Sequence, residues 1–207
     1  CCHNASGADL SNDQWDELAT VMLEKGLVPF VDFAYQGFSR GLEEDSYAAR
    51  LMSTMLPEAL IASSCSKNFA MYRDRAGAIT LISSSAEEHL KNESHMLGAV
   101  RVHYSMPPDH GAAVVAHILG DTDLRAEWIS EVNKMRNRVK KMRKLFVLKM
   151  NEKAPNSDFN YIEELNGLFS YLTLSAEQIH TLINDYSIFL MANGRINIAG
   201  LTEANID

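Results

Sequence analysis

The sequence predicts an α/β fold: helices packed on a mostly parallel sheet over residues 1–122, then a small α+β domain over residues 123–207 carried on a long helix. Three observations lead there. Short apolar runs alternate with amphipathic helical stretches as far as residue 82, the pattern of a layered α/β domain. Leu124, Trp128, Val132, Met135, Val139, Met142, Phe146 and Met150 then recur at steps of three or four, which makes one long amphipathic helix from Asp123 to about Glu152. Beyond it, short strand-like runs frame a single capped helix.

Each element has its own justification. Trp15, Leu18, Ala19, Met22 and Leu23 fall at helical spacing within residues 11–25, with Ser11 as cap and Gly26 as stop. Leu27 to Ala34 is a short apolar run suited to a buried parallel strand. A glycine-bearing loop, Tyr35 to Gly41, leads to a helix over about residues 43–55, and Leu60–Ser64 and Gly77–Ile82 read as two more strands. Ser85 with Glu88 three residues later makes a capping box for a helix running toward Arg101. Pro107 and Pro108 break the chain before a helix from Asp109 to Leu119. After the long helix, strands are expected near 159–163, 168–173, 188–191 and 195–199, with a capped helix from Ser175 to Tyr186. Thr202 reads as the N-cap of a final helix whose body is absent, and Cys1 runs directly into turn signals, so both ends read as cut. Lys134, Arg136, Arg138, Lys140, Lys141, Arg143, Lys144 and Lys149 on the long helix read as a solvated face.

Composition narrows the function classes. A chain of 207 residues, 46% hydrophobic and 22% charged, can bury a real core and has the make-up of a soluble globular protein. No apolar run approaches the roughly 20 residues that span a bilayer, and no basic-then-apolar signal opens the chain. A net charge of -8 argues against general nucleic-acid binding. The cysteines, Cys1, Cys2 and Cys65, are odd in number and two are adjacent, which points to a reducing cytoplasm rather than a disulfide framework. The histidines show no metal-like grouping; His110 and His117 lie two helical turns apart.

The chemistry concentrates just past the second expected strand, in Ser63-Ser64-Cys65-Ser66-Lys67-Asn68-Phe69. Ligands of open α/β sheets bind beyond the carboxyl ends of strands. A lysine among small hydroxyl residues there can reach a carbonyl group while the hydroxyls bond a phosphate, and Arg75 adds a guanidinium fork for that phosphate. Taken alone, such a lysine is no more than an exposed amine; its neighbours give it meaning.

The run Ser63 to Gly77 resembles the cofactor-lysine segment of aspartate and aromatic amino-acid aminotransferases, the fold-type I enzymes that use pyridoxal 5'-phosphate. The resemblance continues, in order, through Cys2-His3-Asn4-Ala5-Ser6-Gly7, Val31 to Phe38, Tyr104-Ser105-Met106-Pro107-Pro108 and Asn193 to Gly200. It covers essentially the whole chain and implies the C-terminal half of such an enzyme: the second part of the large cofactor-binding domain, then a small domain lacking its final helix.

The resemblance implies roles residue by residue. Lys67 would carry the cofactor and later move a proton at the substrate α-carbon, for which it must be unprotonated. Asp32 would pair with the pyridinium nitrogen and keep the ring an electron sink; read from its position alone, it is a strand-end turn residue. Tyr35 and Asn4 would donate to the cofactor's phenolic oxygen. Ser64 and Arg75 would hold the phosphate, with Ser66 assisting. Arg195 would bind the substrate α-carboxylate as a bidentate pair. Arg101 would reach across a homodimer interface to a distal substrate carboxylate; otherwise it is an exposed arginine at a helix C-terminus. The reaction implied is transamination between an aromatic amino acid or aspartate and 2-oxoglutarate. An inactive fragment, or an aminotransferase-like sensing module within a transcription regulator, are the other readings.

Several positions depart from the family's pattern. Ala5-Ser6 stands where Pro-Thr is common, Cys65 where an aromatic is frequent and Met106 where a polar residue is frequent. Ala70 replaces a common glycine and is expected to tighten the turn after the lysine. Family members are about twice this length, so the N-terminal half, with its own phosphate loop and cofactor-stacking aromatic residue, is expected to be needed for activity.

Overall fold

Ser11 caps the first helix as its sequence requires. Its hydroxyl accepts from the Gln14 N–H and the Gln14 side chain accepts from the Ser11 N–H, closing the capping box of α1 (Asn12–Glu24). Gly26 then turns the chain at a φ of +62°, and strand β1 (Phe30–Phe33) follows. A short 3₁₀ turn, Glu44–Ser46, leads into α2 (Tyr47–Met55). Ala19 of α1 packs on Met52 and Leu56, with Trp15, Met22 and Val31 around them. The computed structural model describes residues 1–206. These fall into two units, Leu10–Val132 and Cys1–Asp9 with the chain from Asn133 onward.

In the first unit β2 (Ala59–Ser64) is the central strand of three, in the order β1-β2-β3, where β3 is Gly77–Ile82. β1 runs parallel to β2, with Phe30 opposite Leu60 and Phe33 opposite Ser63. β3 runs antiparallel, from Ala59 opposite Ile82 to Ser64 opposite Gly77. The described sheet is therefore mixed rather than mostly parallel. β1 also differs from the buried strand expected over 27–34. It is shorter, because Pro29 has no N–H to donate, although its carbonyl still accepts from Leu60. It is an edge strand, and one of its faces is uncovered, which leaves Phe30 69% exposed while Phe33 on the other face is buried. Helices α3 (Ala86–His103) and α4 (His110–Gly120) follow. Ser85 caps α3 by accepting from Glu88 N–H, but the box stays half-made, since the Glu88 carboxylate accepts from Lys91 Nζ at 2.9 Å instead.

The long helix, α5 (Thr122–Lys153), begins beside the expected boundary at 122/123. In the second unit Val139, Met142 and Val147 of α5 bury against Phe159, Ile162 and Ile198. The strand expected near 159–163 is instead the one-turn helix α6 (Tyr161–Glu164). The Asp158 carboxylate accepts from Asn160 N–H at 2.9 Å and starts the turn, and Phe159 and Ile162, both buried, lie at a helical step of three. β4 (Phe169–Tyr171) and β5 (Arg195–Asn197) form an antiparallel pair, with α7 (Ala176–Tyr186) between them under a complete Ser175–Gln178 capping box. No strand forms at 188–191: Ser187 takes a φ of +55°, and Met191 N–H bonds the Arg195 carbonyl in a turn. Thr202 caps no helix among the described residues; its N–H donates to Asn205 Oδ1, and 203–205 is a single turn. No described helix is long and apolar enough to cross a membrane.

Candidate functional site

Parallel pairing of β1 with β2 sends both strands out at the same edge. Asp32 lies opposite Ala62 and Phe33 opposite Ser63, so the chain leaves β1 toward Tyr35 beside the place where it leaves β2 toward Lys67. The Lys67 ammonium stands 4.5 Å from the centroid of the Tyr35 ring, and that ring is buried. The Ser64 hydroxyl donates to Ser66 Oγ at 3.0 Å and accepts from Ser66 N–H at 3.1 Å, so the two hydroxyls are held as a pair. Ser66 is buried and Lys67 half-buried. Burial pushes the Cys65 thiol up, so at neutral pH it is an uncharged neighbour of the lysine rather than a rival nucleophile.

Asp32 and Arg75 behave differently. Asp32 is exposed, not buried at an apolar strand end, because it shares with Phe30 the uncovered face of β1, while Phe33 on the other face is buried. Arg75 is exposed, has a left-handed φ of +53°, and donates from Nη1 to the Tyr72 carbonyl at 3.0 Å. The set nevertheless suits an aldehyde-bearing pyridine phosphate: an amine, two paired hydroxyls and a guanidinium at and beyond the end of β2, a carboxylate near the end of β1 and a phenol just past it. One further acceptor, Asn68 Oδ1, is buried beside the lysine with no hydrogen-bond partner among the described residues.

Sequence reasoning missed what fixes this turn. Trp128 Nε1 donates to the Asn68 carbonyl at 2.8 Å, and its indole stacks on Phe69 at 4.5 Å with 15° between the planes. Only its helical periodicity was legible, and that marked Trp128 as core. On the other strand's loop, buried Asp45 accepts from the N–H groups of Gly37, Ser39, Arg40 and Gly41. The acidic residue that opens a helix after a glycine-bearing loop is the signal that could have revealed it.

The second unit carries two further residues that the sequence singled out. Asn4 is exposed in a turn closed by Gly7 N–H to the His3 carbonyl at 2.8 Å. Arg195 opens β5, half-buried, with its guanidinium 4.8 Å from the centroid of the Phe169 ring. Arg143, read from the sequence as part of a solvated face, is 1% exposed. Its place was readable after all: Val139, Met142, Arg143, Phe146 and Val147 form one i, i+3, i+4, i+7, i+8 stripe. Arg101, in the last turn of α3, is exposed, and no hydrogen bond or ion pair joins it to the residues around Lys67 among the described residues.

Comparison with known proteins gives the chain's family. The family model for aminotransferase class I and II matches residues 1–207. The chain is 46% identical over 206 residues to the aspartate aminotransferase of Escherichia coli K12, and 41% identical over 206 residues to the aromatic-amino-acid aminotransferase of the same organism. Both matches take in 100% of this chain and 52% of the relative. The crystal structure of the Burkholderia pseudomallei aromatic-amino-acid aminotransferase covalently bound to pyridoxal phosphate superposes with a TM-score of 0.96 at 38% identity, again over 100% of this chain and 52% of the other. The chain spans about half the length of the relatives it matches. With its whole length inside the family model, and close relatives along all of it, the chain belongs to the class I and II aminotransferases.

Proposed function

We propose that the protein to which this chain belongs is a pyridoxal-phosphate-dependent aminotransferase, with Lys67 holding the cofactor. The observation that carries the reading is the Lys67 amine against the buried Tyr35 ring, beside the Ser64–Ser66 hydroxyl pair at the edge where β1 and β2 end. Pyridoxal phosphate, when bound, supplies an electron sink for charge developing at the substrate α-carbon. Ser64, Ser66 and Arg75 bind the phosphate, and Asp32 holds a proton on the ring nitrogen. Tyr35 and Asn4 donate to the phenolic oxygen. Lys67 Nζ, once unprotonated, takes the proton from the substrate α-carbon. Arg195 orients the substrate by its α-carboxylate with a two-pronged hydrogen bond.

The substrates in this reading are an amino acid and a 2-oxo acid. Glutamate or 2-oxoglutarate is one partner, and aspartate or an aromatic amino acid the other. The assembly is a homodimer in which Arg101 serves the neighbouring copy. Activity requires the half of the relatives' length that this chain does not span.

Borohydride reduction of the whole protein, followed by peptide mapping, tests the assignment. The pyridoxyl mass is expected on the peptide containing Lys67; a label on any other lysine sinks it. Lys67→Ala is expected to lower transamination by at least about 10²-fold with the fold intact by circular dichroism.

A further inference from the structure

A buried guanidinium needs a reason, because taking the charge out of water is expensive and an apolar side chain of similar volume often serves as well. Arg143 sits in the middle of the apolar stripe of α5. Its Nη1 donates to the Ile162 carbonyl at 3.1 Å and to Ser170 Oγ at 2.6 Å. Its Nη2 donates to the carbonyls of Asn166, Gly167 and Phe169 at 2.9, 2.8 and 2.7 Å. All five acceptors are neutral, and desolvation lowers the guanidinium to about 10 against the opposing pull of Cys2 and Asp9. The side chain is therefore less an ion pair than a peg into which one stretch of backbone, residues 162–170, is plugged.

What that stretch does gives the peg its purpose. Phe169 is itself one of the residues held by its carbonyl, and its ring lies under the Arg195 guanidinium at 4.8 Å. β4 and β5 are three residues each, and a two-stranded ladder that short is marginal by itself. The Asn4 turn abuts the same carbonyls: Asn166 N–H donates to the Gly7 carbonyl at 2.8 Å. A Cβ on Gly7 would lie 2.8 Å from the carbonyl oxygens of both Asn166 and Phe169.

We infer that Arg143 is a positioning residue for carboxylate recognition: by pinning the backbone of 162–170 it sets the Phe169 platform that aims the Arg195 guanidinium at the substrate. This rests on the reading of Arg195 as the α-carboxylate ligand. A lysine at 143 keeps the charge but cannot fork to five oxygens, so the platform loosens while the charge stays.

The test uses the whole, cofactor-loaded protein and the dissociation constant of 3-phenylpropionate, a carboxylate without an amino group that binds but cannot react. Arg143→Lys is expected to weaken binding about tenfold, on the order of losing one charge-assisted hydrogen bond to the carboxylate. Ser170→Ala removes one acceptor and leaves Nη1 the Ile162 carbonyl, so it perturbs less and is expected to weaken binding in the same direction by a smaller factor, which decides the matter if Arg143→Lys does not fold. In an Arg195→Leu background neither substitution is expected to weaken binding further, because a residue acting through Arg195 has nothing left to position. Unchanged affinity in Arg143→Lys and Ser170→Ala overturns the inference, as do losses that add to that of Arg195→Leu. Unchanged affinity in Arg195→Leu alone overturns instead the reading of Arg195 on which it rests.

Discussion

Ala70 closes the turn that carries Lys67 at a φ of +55°, where a Cβ crowds the following carbonyl. The alanine that stands for the family's common glycine thus takes a left-handed conformation three residues after the lysine. Glycine there removes the crowding, worth about 1–2 kcal/mol, against a loss of about 0.5–1 kcal/mol from the greater freedom of the unfolded chain. Ala70→Gly is therefore expected to stabilise the whole protein by about 0.5–1 kcal/mol, read as a higher urea midpoint at constant slope. A lower midpoint would show that the Ala70 methyl contributes packing that outweighs the strain. Arg75 has a similar φ of +53°, but its side chain is proposed to hold the phosphate, so the same exchange there would remove function with the strain.

The loop from β1 to α2 is held by one side chain. Asp45 is buried, and its carboxylate accepts the four N–H groups of Gly37, Ser39, Arg40 and Gly41 at 2.8 to 3.4 Å. Asp45→Ala orphans these donors and is expected to destabilise the whole protein by about 3 kcal/mol, measured by denaturant unfolding; a change under about 0.5 kcal/mol would place the loop's order elsewhere. The same element scale shows what was legible. Ser11–Gln14 and Ser175–Gln178 were readable as helix starts because a cap is a contact between near neighbours in sequence. The long helix was readable because burial of one face imposes a period. The Ser64–Ser66 pair beside Lys67 was readable because its groups lie two residues apart. Trp128 on Asn68, 60 positions apart, and Arg143 on Ser170, 27 apart, are choices made by tertiary packing, and a local pattern records only that the positions face inward. The lost strand at 159–163 has the same origin: its apolar residues suit either period, and the Asp158 turn decides between them.

At the scale of the whole molecule, the proposed substrate range turns on Arg101. Helix α3 runs for 18 residues without one that is buried, leaving Val102 85% exposed and Arg101 and His103 at the surface beside it. Such a helix suits the proposal that Arg101 serves a neighbouring copy rather than its own unit. Two arginines in separate roles, Arg195 for the α-carboxylate and Arg101 for a distal one, suit aspartate and glutamate. An aromatic side chain offers Arg101 nothing to bind, so its use requires the guanidinium to move aside. Met106, 80% exposed just beyond α3, has a flexible thioether that can pack against a ring. Arg101→Leu separates the two classes. Loss of a charge-assisted bidentate pair is expected to remove about 2 kcal/mol of transition-state binding for dicarboxylates, roughly thirtyfold in kcat/KM. Aromatic substrates, which never made that pair, are expected to change by less than about threefold. The comparison is made on one preparation with aspartate and phenylalanine as donors, so any loss of folded protein lowers both rates and cancels in their ratio. A ratio that stays at the wild-type value means that Arg101 serves the fold and not the distal carboxylate, and dual specificity then has to be sought in other residues.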